Sequence, residues 1–283
     1  MQIIKTVKDM QDLSRRFRSE GKDIGFVPTM GAFHDGHLSL IERSVDENNV
    51  TVVSIFVNPK QFGPEEDYNK YPRETEIDLK KISSLNVDAV FVPGAGEMFK
   101  NGDTLTVDAG RAGRVLCGLS RPGHFNAVAT VVAKLFNIVM PYKAYFGQKD
   151  YQQTVVMRDM VRGLNFDIDV VVCPTVRDDD GLALSSRNRY LSRQDRARAL
   201  ILFKALKFGE ELILSNEEDD AALVIKEVNR LIRTDPEAVT EYVEVVDPVS
   251  LERIEKITGP VVIALAVRIN DTRLIDNLLV AKL

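Results

Sequence analysis

Residues 25–40 read Gly-Phe-Val-Pro-Thr-Met-Gly-Ala-Phe-His-Asp-Gly-His-Leu-Ser-Leu, and this stretch decides the fold. An apolar run, Ile24 to Val27, leads into it and stops at Pro28, which predicts a buried strand whose end is fixed by the proline. From Leu38 onward apolar residues recur at helical spacing. The stretch therefore predicts a strand, a turn and a helix in direct succession.

Two histidines, His34 and His37, lie in this turn three residues apart. Residues at that spacing face the same way if a helix begins near them. A helix N-terminus presents free N–H groups and partial positive charge, which favours a bound phosphate. Gly36 has no Cβ, so a flat base can lie against the backbone there. Together these features predict a nucleotide site with histidines at the phosphates.

Spacing alone leaves other interpretations of the histidine pair open. One is a surface pair at a helix start, with no chemical role. A zinc site needs three or four ligands, and only His124 and two scattered cysteines remain to complete one, which disfavours a metal. The His-x-Gly-His pattern after a strand matches a more specific signature, that of the nucleotidyl-transfer superfamily that includes the class I aminoacyl-tRNA synthetases.

Composition limits the kinds of protein that this chain can be. It has 283 residues, 45% of them hydrophobic, which is enough for one large or two ordinary domains. A net charge of −5 gives no overall attraction to nucleic acid. The longest mostly apolar run, residues 127–140, is too short to span a bilayer and contains Lys134. We therefore expect a soluble, cytoplasmic protein with no nucleic-acid or membrane partner, and free thiols at Cys117 and Cys173.

Short apolar strands alternate with helical patterns through the first 175 residues. Because such alternation is typical of parallel sheets, it predicts an α/β fold with a Rossmann-like, doubly wound parallel sheet. In such a sheet ligands bind at the carboxyl ends of the strands, where the Pro28–His37 turn, Asn58–Gln61 and Gly147–Asp150 all fall. The strands predicted after Ile24 to Val27 are Val50 to Val57, Ala89 to Val92, Lys143 to Phe146 and Asp167 to Cys173.

The common phosphate-binding loops are missing from the sequence. Gly94-Ala-Gly96 begins like a dinucleotide fingerprint, but Phe99 stands where the third glycine belongs and no helical pattern follows directly. No Gly-x-x-x-x-Gly-Lys-Ser/Thr occurs either. An ATP site in this chain must therefore be built by other means.

The pattern changes after Pro174. Helical stretches come first, and the strand-like runs Tyr242 to Val246, Val261 to Val267 and Leu274 to Val280 follow with short links, which predicts a small antiparallel sheet. We therefore predict two domains, a Rossmann-like domain of residues 1–175 and a smaller C-terminal α+β domain of residues 176–283.

Two further polar features have alternative interpretations. Lys149 is either an ordinary solvated lysine or, beside a helix N-terminus at a strand end, a phosphate ligand. The stretch Leu184-Ser-Ser-Arg-Asn188 is either a plain helix-entry loop or a grip for a triphosphate, since an arginine fork binds phosphate in bidentate fashion.

Six motifs span about two thirds of the chain, in the order that one known family has them. They are Val-Pro-Thr-Met-Gly-Ala-Phe-His-Asp-Gly-His (27–37), Phe-Val-Asn-Pro-Lys-Gln-Phe (56–62), Tyr-Pro-Arg (71–73), Arg-Pro-Gly-His-Phe (121–125), Phe-Gly-Gln-Lys-Asp-Tyr-Gln-Gln (146–153) and Leu-Ser-Ser-Arg-Asn-Arg-Tyr-Leu (184–191). On these residues the chain resembles the pantoate–β-alanine ligase family. Gln148 stands where many relatives carry glutamate, and we expect that change to be harmless.

The resemblance implies an activity. Members of the family join (R)-pantoate to β-alanine with ATP and give pantothenate, AMP and diphosphate. Pantoate carboxylate attacks the α-phosphate to form pantoyl adenylate, and the amine of β-alanine then displaces AMP. It also implies Mg²⁺ as the companion of ATP, a homodimer, and a C-terminal domain that acts as a lid over the nucleotide.

The resemblance further implies which residues form the ATP site. His37 is the family's proton donor, and His34 does similar work. Lys149 and Arg187, with two serines, hold the β- and γ-phosphates, and Val176 contacts the nucleoside with Gly147. The full set is Pro28, Thr29, Met30, Gly31, Ala32, Phe33, His34, Asp35, Gly36, His37, Gly147, Gln148, Lys149, Asp150, Val176, Leu184, Ser185, Ser186 and Arg187.

The remaining implied residues concern pantoate and the metal ion. Gln61 and Gln153 carry amides that donate and accept at once, which fits the two hydroxyls and carboxylate of pantoate. Asp78 is the candidate ligand of Mg²⁺ by its place in the family pattern, although an aspartate on a helix surface is an equal interpretation.

Two rival functions share parts of this pattern. A nucleotidyltransferase that moves AMP onto a phosphate ester would share the histidine motif, but AMP would stay in its product. A synthetase-like RNA binder is disfavoured by the acidic charge balance and by the lack of a basic anticodon-type domain.

Overall fold

The computed structural model describes residues 1–64, 66–100, 104–215 and 219–282. Contacts divide the chain into two compact units. The first unit comprises Met1–Arg114, Gly118–Gly147 and Val156–Pro174, and the second comprises Val115–Cys117, Gln148–Val155 and Thr175–Leu283. The division into domains at residue 176 stays a prediction. Within the described ranges, no helix is both long enough and apolar enough to cross a membrane.

The first unit is built on a six-stranded sheet in which every pair of neighbours is parallel. Its strands, in spatial order, are β1 (Gln2–Ile4), β4 (Ala89–Phe91), β3 (Val50–Ile55), β2 (Ile24–Thr29), β5 (Lys143–Gly147) and β6 (Asp169–Cys173). The chain winds outward from β2 in one direction and then returns to add β5 and β6 on the other side. The doubly wound parallel sheet is therefore confirmed, and its switch point lies between β2 and β5.

Helices of the first unit pack through apolar faces. They are α1 (Val7–Ser19), α2 (Asp35–Glu47), α3 (Thr75–Ile82), the short α4 (Ala95–Met98) and α6 (His124–Val139); the short α5 (Cys117–Ser120) and α7 (Tyr151–Gly163) contain residues of both units. The interior strand β3 is buried at all six positions, and α6 buries most of its length. Strand β2 begins with an apolar run and β3 is rich in β-branched residues, which is why both were predictable from the sequence.

The second unit pairs two long helices with an antiparallel sheet. The helices are α8 (Arg193–Leu214) and α9 (Ala221–Ile232), and the strands β7 (Ala238–Val246), β8 (Val261–Ile269) and β9 (Thr272–Val280) lie in chain order. One hydrophobic cluster joins both helices to the central strand β8. The small antiparallel sheet is confirmed.

Three local predictions need correction. Strand β1 was not predicted, because it has only three residues and two of them are exposed. The strand predicted to end at Pro28 continues through that proline to Thr29, and the strand predicted from Asp167 begins at Asp169. Element ends are set by capping and tertiary contacts, which periodicity does not report.

Candidate active site

The turn that follows β2 begins at the switch point of the sheet. Thr29 ends β2 and is paired with Ile55, the last residue of β3. The Thr29 hydroxyl donates to the carbonyl of Ser54 at 2.7 Å and accepts the amide of Gly31 at 3.1 Å. One side chain thus fixes the direction in which the chain leaves the central strand.

The backbone of the turn adopts the left-handed region at two successive residues, Gly31 with φ +80° and Ala32 with φ +54°. The amides of Ala32 and Phe33 donate to the two carboxylate oxygens of Asp78 at 2.7 Å each. Asp78 lies on α3 and is 1% exposed. A Cβ on Gly31 would stand 2.8 Å from the Asp78 carboxylate, so this position requires glycine.

His34 is the N-cap of α2, and His37 is the third residue of that helix. Their rings lie close, with centroids 4.1 Å apart and planes tilted by 37°. The amide of His34 approaches Nδ1 of His37 at 3.5 Å, a long contact in which that nitrogen accepts. A neutral His37 ring that accepts at Nδ1 carries its proton on Nε2.

The N-terminus of α2 adds main-chain donors beside the histidines. The first N–H groups of a helix have no acceptor within that helix. At α2 these positions are occupied by Asp35 and Gly36, while the amide of His37 already donates to the carbonyl of His34 at 2.7 Å. Two main-chain donors, two imidazoles and the positive end of a helix dipole therefore lie together.

Gln61 lies at the carboxyl end of β3, in the short 3₁₀ turn Pro59–Gln61. Its amide nitrogen contacts Sδ of Met30 at 3.0 Å, which brings this side chain to the turn after β2. Asn58, which is 1% exposed, donates to Oε1 of Gln61 at 3.1 Å. The first unit thus brings Gln61 together with the residues that precede the histidine pair.

The main chain of Gln61 is held by residues that carried no assigned role in the sequence. Its carbonyl accepts from Nδ1 of His124 at 2.8 Å and from Arg121 at 3.3 Å. Arg121 also approaches Nε2 of His124 at 3.0 Å, so His124 donates through Nδ1 and accepts through Nε2. Arg121 in turn pairs with Glu66 at 2.7 and 2.5 Å. Burial acts to raise the pKa of Glu66, but the hydrogen bonds from Arg121 prevail and leave that pKa below its ordinary value.

The 3₁₀ turn Gln148–Asp150, which contains Lys149, belongs to the second unit, and so does Gln153. The buried amide of Asn277 on β9 donates to the carbonyls of Gln148 at 3.0 Å and Lys149 at 2.8 Å. The Lys149 ammonium is 3.8 Å from the Asp150 carboxylate. Asn277 therefore anchors the main chain that carries Lys149, and no sequence pattern pointed to it.

The segment Leu184–Leu191 also lies in the second unit and is stabilised by local hydrogen bonds. The Ser185 hydroxyl accepts the amide of Arg187 at 3.3 Å and caps the 3₁₀ helix Ser186–Tyr190. The amide of Leu184 donates to the carbonyl of Val176 at 3.0 Å. The family-implied residues Val176, Ser185 and Arg187 thus share one stretch of structure.

The residues at Asp78 do not fit a magnesium ion. Both carboxylate oxygens already accept main-chain amides, and the side chain is buried. Among the residues that the structure describes, no group of three or more His, Cys, Asp or Glu side chains is placed to hold a metal ion. The sequence-based assignment of Asp78 as a metal ligand thus conflicts with its geometry.

Comparison with known proteins identifies the family of this chain. The model of the family described as pantoate–β-alanine ligase matches residues 2–279. The pantothenate synthetase of Thermotoga neapolitana is 52% identical over 279 residues, which cover 98% of this chain and 99% of the relative.

Solved structures extend the likeness to three dimensions. A pantothenate synthetase from Thermus thermophilus matches with a TM-score of 0.94 and 43% identity over 100% of both chains. A pantoate–β-alanine ligase from Francisella tularensis, in complex with βγ-ATP and β-alanine, matches with a TM-score of 0.80 and 34% identity over 99% of this chain and 97% of that one.

The parallel sheet, with a histidine pair at its switch point, defines an α/β enzyme of the nucleotide-binding class. Within that class, the family model and the full-length relatives are decisive. This chain belongs to the pantoate–β-alanine ligase family, and it is therefore a ligase that joins pantoate to β-alanine.

Proposed function

We propose that the chain condenses (R)-pantoate with β-alanine in an ATP-dependent reaction that passes through pantoyl adenylate. A carboxylate oxygen of pantoate bonds to the α-phosphorus of ATP, and the bond to diphosphate breaks. The amine of β-alanine then bonds to the acyl carbon, loses a proton, and AMP leaves with the oxygen that joined the two parts. The products are pantothenate, AMP and diphosphate.

The observation that carries this proposal is the His34–His37 pair at the N-terminus of α2, at the switch point of the sheet. Both reactants of the first step are anionic, so catalysis consists mainly of positioning and charge neutralisation. Two imidazoles and the helix N-terminus supply this positioning and charge neutralisation without a P-loop.

His37 acts as a proton donor through Nε2. The contact of its Nδ1 with the His34 amide favours the tautomer in which Nε2 carries the proton. A donor at that atom stabilises the negative charge that builds up on the α-phosphate and serves the leaving diphosphate. His34 lies 4.1 Å away, ring to ring, and contributes a second polar group to the same phosphate.

Gln61 and Gln153 bind pantoate through their side-chain amides. An amide donates and accepts at once, as the hydroxyls and carboxylate of pantoate require. The fixed position of Gln61, between Asn58 and Met30, supports this role because a pre-oriented amide binds with less loss of side-chain entropy.

The remaining phosphate contacts come from Lys149, Arg187, Ser185 and Ser186, and those to the nucleoside come from Gly147 and Val176. The complex of the Francisella relative with βγ-ATP and β-alanine supports ATP as the co-substrate. Mg²⁺ accompanies the phosphates of ATP, and we assign it to no side chain of this chain. On the family resemblance, the active form is a cytoplasmic homodimer.

Isotope exchange between diphosphate and ATP tests the proposed pathway. With pantoate present and β-alanine absent, labelled diphosphate should enter ATP, because the first step is complete and reversible without the amine. Without pantoate, exchange should stop. Free AMP should appear only after β-alanine is added. Lack of pantoate-dependent exchange would contradict the adenylate, and AMP retained in a phosphate-ester product would favour the nucleotidyltransferase.

A further inference from the structure

Helix α3 contacts the turn after β2 through two charged side chains of opposite sign. Asp78 accepts the amides of Ala32 and Phe33, and Lys81 donates to the carbonyl of Phe33 at 2.5 Å. The two side chains are three residues apart and so lie on one face of the helix. Between them they engage both polar groups of Phe33.

We propose that Asp78 and Lys81 are positioning residues for the adenylation step. They act as a clamp that holds the turn in the geometry that sets His34 and His37 at the phosphates. The inference rests on the role proposed above for the two histidines, and it assigns Asp78 a task different from binding a metal ion.

The shape of the turn explains why a carboxylate is needed. The left-handed residues Gly31 and Ala32 turn the chain so that the successive amides of Ala32 and Phe33 both donate to one anionic group. Asp78 supplies that anion from within the protein. A non-glycine residue such as Ala32 persists in this conformation only when its surroundings hold it there. The two short hydrogen bonds to a fully buried carboxylate meet that requirement.

Lys81 fixes the other side of the same residue. The carbonyl of Phe33 belongs to the peptide bond that joins Phe33 to His34, the N-cap of α2. A rotation of that peptide would turn the N-cap and both imidazoles together. The buried ring of Phe33 also contacts His37, with centroids 5.6 Å apart. The clamp therefore reaches both histidines through the main chain and through one aromatic ring.

Two readouts separate positioning from metal binding. The first is amide hydrogen exchange of peptides that cover residues 30–37, measured on the full chain without ligands. The second is the rate of diphosphate–ATP exchange as a function of free Mg²⁺. Loss of a metal ligand changes the Mg²⁺ dependence and leaves amide protection unchanged, whereas loss of the clamp lowers amide protection and leaves the Mg²⁺ dependence unchanged.

Asp78→Asn should speed amide hydrogen exchange at residues 30–37. It should also lower the maximal rate of diphosphate–ATP exchange by about 10- to 100-fold, the cost of a misplaced catalytic group. The concentration of Mg²⁺ that gives half-maximal rate should stay within about twofold of the wild type. If instead that concentration rises at least tenfold, while saturating Mg²⁺ restores the rate and amide protection is unchanged, Asp78 is a metal ligand and the clamp is wrong.

Variants of Lys81 provide a second test of the clamp, which holds even if replacement of the buried Asp78 unfolds the protein. Lys81 is exposed, so the Lys81→Met variant should fold. It should lose protection against amide hydrogen exchange at residues 30–37, and its rate of diphosphate–ATP exchange should be about tenfold lower. Lys81→Arg keeps a cationic donor and should restore both readouts. Lys80→Met, which removes the neighbouring exposed charge of the same helix, is the matched control and should change neither.

A Lys81→Met variant with wild-type protection and wild-type rate would overturn the clamp, whatever Asp78→Asn does. Failure of the proposed function has a different signature. In that case the wild-type chain would lack pantoate-dependent exchange, while amide protection at residues 30–37 would still report on Asp78 and Lys81.

Discussion

The two segments proposed to hold the phosphates of ATP, the Met30–His37 turn and the Leu184–Leu191 segment, are stabilised in different ways. The turn is held by Asp78 and Lys81, which are more than forty residues away in sequence. The Leu184–Leu191 segment contains short-range hydrogen bonds, such as the Ser185 cap on the amide of Arg187 and a bond from Asn188 to the carbonyl of Ala183.

Burial deepens the contrast. Residues 31–33 are buried, whereas residues 184–188 are intermediate and 189–190 are exposed. Charge-assisted hydrogen bonds inside a protein are stronger than neutral bonds at a surface, and regions with few buried contacts open at lower free energy. We infer that the histidine turn is preorganised before substrates bind.

The largest expected effect follows from removing a preorganised group. His37→Ala should lower the adenylation rate by about 10²- to 10⁴-fold, the range for a lost acid or electrostatic group, while the thermal midpoint stays near that of the wild type. Single-turnover formation of labelled diphosphate measures the step. A variant with near-normal turnover would remove the assigned role.

Arg187→Ala tests the proposed phosphate role of the Leu184–Leu191 segment. Because the guanidinium is proposed to act on the β- and γ-phosphates, the variant should bind ATP about 10- to 100-fold more weakly, the equivalent of one lost charge-assisted contact. Its affinity for pantoate should be unchanged. Equilibrium binding of each substrate measures the two effects separately. Arg187→Lys should recover only part of the affinity, since a lysine cannot form the bidentate fork. Equal loss of affinity for both substrates would contradict the assignment of Arg187 to the phosphates of ATP.

Gln61→Ala tests substrate selection within the preorganised unit. The loss of one oriented amide should lower the affinity for pantoate by about tenfold, because one neutral hydrogen bond contributes about 0.5–1.5 kcal/mol. The affinity for ATP should stay nearly unchanged. Titration of each ligand separately gives the comparison. If ATP weakens as much as pantoate, Gln61 supports the turn through its contact with Met30 and does not read the substrate.

The smallest expected effect is a dependence of stability on pH at the Glu66–Arg121 pair. Arg121 holds the pKa of Glu66 below its ordinary value of 4.5. The carboxylate therefore contributes stability at pH values above 4.5, and this contribution is lost as the pH falls through the lower, folded-state pKa. We expect a contribution of about 1 kcal/mol, because the pair is only partly buried.

Urea unfolding at about pH 6 and at about pH 3.5 measures that contribution. The free energy of unfolding should fall more in the wild type than in Glu66→Gln, whose side chain does not titrate. Arg114→Gln, which breaks an exposed pair with Asp108, serves as a control with little effect. Identical pH dependence in the wild type and Glu66→Gln would show that ionisation of Glu66 contributes nothing measurable to the free energy of unfolding.

The sequence predicted what depends on local patterns. Strand β2 was predictable from its apolar run and β3 from its β-branched residues, and the histidine pair was predictable because its spacing and its position after a strand are both local. The three-residue β1 gave no such signal, since its burial depends on pairing with β4, whose first residue lies 87 positions after Gln2 in the chain.

The supporting residues could not be read in the same way. Asp78, Arg121, His124 and Asn277 act through contacts with main-chain atoms of remote segments. A main-chain amide or carbonyl carries no sequence signature, so nothing at residue 33 or 149 indicates a partner at 78 or 277. Family resemblance placed Asp78 near the site but left its task open, and the direction of its two hydrogen bonds is what indicates positioning.

Transfer of labelled oxygen tests the activation of pantoate most directly. Pantoate with ¹⁸O in both carboxylate oxygens should give AMP that carries one ¹⁸O and pantothenate that keeps the other, because the oxygen that joins acid and phosphate leaves with AMP. Mass spectrometry of the two products after a single turnover reads the distribution. AMP without label, or label in the diphosphate, would contradict attack of the carboxylate on the α-phosphorus.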